Sequence, residues 1–135
     1  MKPLALDIGD RYIGLATTDH ADKSLVYRYG TIDRKFQDAI SVLQDAITKE
    51  SIDTFILGVP YHVEDGSETA QTKKTLAFID SLKAKFGSQL SYIEVDETLT
   101  SLAAKENLKG EHGSIHDEHA EAACVMLREY LANTR

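Results

Sequence analysis

The sequence predicts a mixed α/β fold: three strands in tight antiparallel succession, then two helix-linked parallel strands, with helices on both faces of one five-stranded sheet. Three observations carry this prediction. The first third of the chain breaks into short apolar runs separated by connections rich in Gly, Asp and Lys. Thr54–Val59 is almost continuously apolar, as a parallel strand covered on both faces requires. Several other segments repeat apolar residues at the three-and-four spacing of a helix buried along one stripe.

Taken in order, Leu4–Ile8, Tyr12–Thr17 and Leu25–Ile32 read as a meander of three strands. Asp33 is the expected N-cap of a helix that turns Phe36, Ala39, Ile40, Leu43, Ala46 and Ile47 inward. Thr54–Val59 is the central parallel strand, ended by Pro60. A polar loop, Tyr61–Ser67, leads to a second helix with Leu76, Ile79, Leu82 and Phe86 inward and Gly87 as its C-cap. Leu90–Val95 is the last strand and delivers Asp96 and Glu97 at its carboxyl end. A short helix is expected over about Leu99–Leu108, then the loop Lys109–Ser114. The closing helix, about Glu118–Leu131, carries Ala123, Met126, Leu127, Tyr130 and Leu131 inward. Three meandering strands followed by two helix-linked parallel ones is the ribonuclease H-like arrangement.

A chain of 135 residues is expected to form a single domain over 1–135. With 42% hydrophobic and 27% charged residues, it has the composition of a soluble globular protein. No segment approaches the roughly 20 apolar residues of a membrane helix. Met1–Lys2–Pro3 leads straight into a strand-like run, which argues against a secretory leader and for a cytoplasmic protein. The single cysteine, Cys124, lies on a helical apolar face and reads as a small buried hydrophobe in a reducing compartment. A net charge of −7 excludes coating of nucleic acid by bulk attraction. A local basic strip drawn from Lys2, Arg11, Arg28, Arg34, Lys35, Lys73 and Lys74 remains compatible with it.

Asp7 is the most informative residue, because it interrupts the apolar strand Leu4–Ile8 and precedes Gly9. A carboxylate there is costly unless paired or metal-bound; the plainer alternative is a side chain that turns the hairpin. In open α/β sheets, groups at the carboxyl ends of strands converge on one crevice, which lets Asp7 and Glu97 meet. Asp96 and Glu97 are adjacent, so at most one faces the same ligand, and Glu97 is the choice; an acidic pair at a helix start is the alternative. His119 falls on the inward face of the closing helix and can point toward Asp7, flanked by Asp117, Glu118 and Glu121 as substitutes. A satisfied core histidine is the alternative. Gly66–Ser67, before a helix, offers an anion site or a plain turn.

Together these segments resemble the YqgF family, also called RuvX, associated with pre-16S rRNA nuclease and Holliday junction resolvase activity. Asp7–Ile8–Gly9–Asp10–Arg11–Tyr12–Ile13–Gly14–Leu15–Ala16, with the later Asp19, matches the opening motif. Leu57–Gly58–Val59–Pro60 with Asp65–Gly66–Ser67 matches the second, and Asp96–Glu97–Thr98–Leu99–Thr100 the third. The resemblance covers nearly the whole chain. It implies a ribonuclease H-like fold with a carboxylate cluster at Asp7, Glu97 and a residue opening the last helix. Here His119 stands where the family usually has Asp, and Thr98 where it usually has a basic residue.

The resemblance implies a nuclease using two Mg²⁺ or Mn²⁺ ions, with Asp7, Glu97 and His119 as metal ligands and catalytic residues and Arg11, Gly66 and Ser67 holding substrate phosphates. Its partners would be structured or single-stranded RNA in 5′-end maturation of pre-16S rRNA, within ribosomal precursor particles, or branched DNA, with no membrane. Two rivals follow from the same residues. Asp–x–Gly at a hairpin also resembles the phosphate loop of actin-like and sugar kinases, which need a second lobe, and a non-catalytic nucleic-acid- or ribosome-binding module would fit His119 and the acidic charge.

Overall fold

The computed structural model describes residues 1–61, 65–96 and 115–133. Strands β1 (Pro3–Ile8), β2 (Tyr12–Thr18) and β3 (Val26–Asp33) are followed by α1 (Ala39–Glu50), β4 (Thr54–Val59), α2 (Ala70–Phe86), β5 (Ser91–Asp96) and α3 (Ile115–Asn133). They build one sheet in the order β3-β2-β1-β4-β5. β1–β2 and β2–β3 are antiparallel, while β1–β4 and β4–β5 are parallel. Every strand boundary falls within one residue of the expected one. Glu97, the helix expected over Leu99–Leu108, the loop Lys109–Ser114 and the Asp117 side chain lie outside the described residues.

The period-two alternation of the strands divides the core between the two faces. Leu4, Leu6 and Ile8 of β1, Ile13 and Leu15 of β2, and Phe55, Leu57 and Val59 of β4 pack with Leu43 of α1 and Ile79, Leu82 and Phe86 of α2. On the other face, Ala5, Ala16 and Ile56 meet Ala123, Cys124, Met126 and Leu127 of α3. Helices therefore cover both faces, as expected. Gly87 caps α2, and Cys124 is buried. Among the described residues no helix is long and apolar enough to cross a membrane.

Two expectations are corrected. The first concerns the start of α1, where Asp38, not Asp33, is the N-cap and its carboxylate accepts from the Ser41 amide. Asp33 instead ends β3, where its register partner is Tyr12. Its carbonyl accepts from the Phe36 and Gln37 amides in a turn. Phe36 consequently sits outside the helix and is 74% exposed rather than inward. The second concerns Lys2, which belongs to no surface strip: it is 5% exposed, and its ammonium donates to the Thr18 carbonyl. A cation at the end of a central strand is tolerated there because a backbone acceptor replaces its water.

Candidate active site

The site begins with the register of the central strand. Asp7 lies between Gly14 of β2 and Gly58 of β4, so neither lateral neighbour projects a side chain over it. It shares the parity of Ala5 and therefore faces α3. At 7% exposure its carboxylate needs a partner, and it has one. His119 Nδ1 lies 3.1 Å from Asp7 Oδ2, a contact joining residues 112 positions apart. A carboxylate can only accept, so the imidazole donates. The hairpin-turning alternative for Asp7 does not describe this geometry, because the β1–β2 turn is closed by the Gly9 amide on the Tyr12 carbonyl.

The hydrogen bond to Asp7 raises the His119 pKa above the ordinary histidine value; burial opposes it, and the charges of Asp7 and Glu118 add to it. The imidazole also lies against the Tyr12 ring, with centroids 5.7 Å apart and planes tilted by 40°. Its side chain keeps 26% of its surface exposed, so it faces both the carboxylate and solvent.

What lets α3 come this close is Gly14. A Cβ there would stand 2.0 Å from the His119 carbonyl oxygen and 2.6 Å from the Ala120 nitrogen, an approach no other residue permits. Gly9 gives further clearance, since a Cβ at that position would lie 2.8 Å from the Tyr12 carbonyl oxygen and 3.4 Å from His119 Cε1. Sequence reasoning overlooked Gly14 and Tyr12 as parts of the site. The available signal was a glycine inside an apolar strand, which often marks close approach of another backbone.

The remaining candidates divide. Arg11 makes a two-point contact with Asp33, Nε to Oδ1 at 3.2 Å and Nη2 to Oδ2 at 3.1 Å. That pairing raises its pKa further. Gly66–Ser67 is exposed but does not open α2: the cap is Thr69, in a reciprocal capping box with Thr72, and the Ser67 amide already donates to Asp65 Oδ1. Its expected pool of free helix-start amides is thus a turn closed on itself. Asp96 ends β5 with the parity opposite to Ile93 and Val95, which pack toward α3. Glu121 lies between Arg28 and Arg128, at 3.8 and 3.5 Å, rather than beside Asp7. Asp19 turns the β2–β3 hairpin by accepting from the Ala21 and Asp22 amides. Among the described residues no three His, Cys, Asp or Glu side chains converge as a metal site; Asp7 and His119 are two.

Comparison with known proteins is consistent over the full length. A family model described as RuvX, Holliday junction resolvase, matches residues 1–133. A relative from Maridesulfovibrio salexigens, named "Putative pre-16S rRNA nuclease", is 33% identical over 98% of each chain. One of the same name from a Picosynechococcus species is 37% identical, covering 97% of this chain and 94% of the relative. Among solved structures, Thermus thermophilus RuvC in complex with a Holliday junction substrate superposes with a TM-score of 0.60 at 12% identity, covering 98% of this chain and 96% of that one. That likeness confirms the ribonuclease H-like fold.

Proposed function

The chain belongs to the RuvX family of nucleases, and on that premise we propose that it is a divalent-metal-dependent phosphodiester hydrolase whose centre is Asp7, Glu97 and His119. Its proposed task is 5′-end maturation of pre-16S rRNA in the cytoplasm, during assembly of ribosomal particles. The substrate follows the name its relatives carry. The observation that supports the centre most is the Asp7–His119 pair at the carboxyl end of the central strand, with the last helix brought down on Gly14 to make it.

A carboxylate oxygen suits Mg²⁺ or Mn²⁺, and an imidazole nitrogen beside it is a poorer ligand for Mg²⁺ than for a softer transition-metal ion such as Mn²⁺. Asp7 and His119 would hold the metal, with Glu97, which follows β5 in the sequence, as the third ligand. When bound, a metal pair supplies positive charge to the entering and leaving oxygens of an in-line phosphodiester attack. The chain's own contribution is positional. Strand pairing on both sides fixes the Asp7 backbone, and Asp7 orients the His119 ring. With Nδ1 donated to Asp7, His119 would use Nε2 either to hold the metal or to take the proton of the attacking water. Arg11, whose Nε and Nη2 are held by Asp33, would offer its remaining Nη donors to a flanking phosphate. The turn at Gly66–Ser67 would add a weaker contact.

Resolution of branched DNA is the second reading, favoured by the family's description and by the RuvC likeness in fold. Both are tested by cleavage of matched RNA and four-way DNA junctions with Mn²⁺, in wild type and Asp7→Asn. RNA cleavage that falls to background in the variant is expected. Equal cleavage by both proteins would remove Asp7 from the centre, and no cleavage of either substrate by folded protein would sink the nuclease reading.

A further inference from the structure

We propose that Phe36, flanked by Arg11 and Lys35, is a stacking platform for an unpaired nucleobase of the substrate strand, linked to the Asp7–His119 centre through Arg11 and Tyr12. The inference rests on the nucleic-acid reading above and deepens it.

A single exposed phenylalanine is ordinary on a protein surface, but the setting of this one is not. The β3–α1 turn holds it outside the core at 74% exposure, with its own amide fixed on the Asp33 carbonyl. Two cations lie near the ring, the Arg11 guanidinium 5.9 Å and the Lys35 ammonium 5.6 Å from its centroid, and leave it 74% exposed. Arg11 also lies over Tyr12, at 5.0 Å, and the Tyr12 ring in turn touches His119. Successive contacts therefore link the exposed Phe36 ring through Arg11 and Tyr12 to His119 and Asp7 of the candidate centre. Asp33 anchors Arg11 by its two-point contact and keeps the guanidinium plane in place.

An aromatic face beside cations matches the chemistry of single-stranded nucleic acid, whose bases stack while their phosphates seek positive charge. In a chain of net charge −7, cations gathered near an exposed ring point to an anionic, aromatic ligand rather than to an apolar protein surface. A paired duplex offers no free base face, so the platform selects unpaired strands.

The chain contains no tryptophan, so Phe36→Trp introduces a single emitter at the platform itself. In EDTA, where cleavage is silent, its emission should be quenched by a single-stranded oligoribonucleotide and not by an abasic sugar-phosphate of the same length. Phe36→Ala should weaken single-strand binding by about tenfold in fluorescence anisotropy, with an unchanged thermal melt. Emission that responds equally to the abasic strand, or wild-type affinity in Phe36→Ala, overturns the platform. So does quenching that grows with protein concentration alone, which would make the occupant a second copy of the chain. Unquenched emission alongside Asp7-dependent cleavage removes the platform and leaves the nuclease, whereas base-dependent quenching without any cleavage supports the platform and removes the nuclease.

Discussion

The two faces of the sheet are built on opposite plans. Toward α1 and α2 the strands present large side chains, Leu4, Leu6, Ile8, Phe55 and Leu57 among them, and Phe55 meets Phe86 and Tyr92 edge-to-face at 5.9 and 6.2 Å. Toward α3 the strands around Asp7 present Ala5, Gly14, Ala16 and Gly58, met by Ala123 and Cys124, and the larger Ile56, Met126 and Leu127 complete a smaller cluster. Large residues hold a helix away from a sheet and bury much area, whereas small ones bury less and admit its backbone to contact. The thick face supplies most of the apolar burial, and the thin face sets the spacing between Asp7 and His119. Stability and site geometry are thus carried by different residues of the same strands.

The largest expected effect breaks the thick face. Phe55→Ala should cost about 4 kcal/mol in urea unfolding, while cleavage per folded molecule stays near wild type; a selective loss of cleavage would mean the faces are not separable. Next is Gly14→Ala, expected to cost about 3 kcal/mol by forcing α3 off the sheet, with cleavage lost even where the variant is fully folded. Wild-type cleavage in folded Gly14→Ala would show that His119 needs no close approach. A smaller effect belongs to the α2 cap: Thr69→Ala should lower stability by about 1 kcal/mol and leave cleavage unchanged, as measured by calorimetry and turnover. The finest test reads the thin face in wild type. Burial pushes the Cys124 thiol up to about 11, so it should resist an aromatic disulfide reagent at pH 8 until the protein unfolds. Gly14→Ala should make it reactive under native conditions.

Most of the strand pattern and the Asp7–His119 pairing were legible in the sequence because both rest on local signals. Period-two and near-continuous apolar runs mark the strands, a charged residue inside one of them marks Asp7, and helical spacing from Ala123 and Leu127 puts His119 inward, although only the family resemblance sets it above a satisfied core histidine. The errors arise where two local signals compete and a distant contact decides. Asp33 and Asp38 are both plausible caps, and pairing of Asp33 with Tyr12 extends β3 and hands the cap to Asp38. Likewise Thr69 and Thr72 form a better cap than the Gly66–Ser67 turn. Lys2 reads as surface charge until the Thr18 carbonyl, sixteen residues away, is there to receive it. The role of Gly14 depends on a helix more than a hundred residues downstream, which no local window contains.

The 112-residue separation of Asp7 and His119 also has a bearing on synthesis. Closing so long a loop is entropically slow, and contacts of this range form late. On a translating ribosome, β1 to β4 can pair and cover their thick face while α3 is still unmade. A nascent chain at that stage has the carboxylate without its imidazole partner, so the proposed centre comes into being only once α3 has been made.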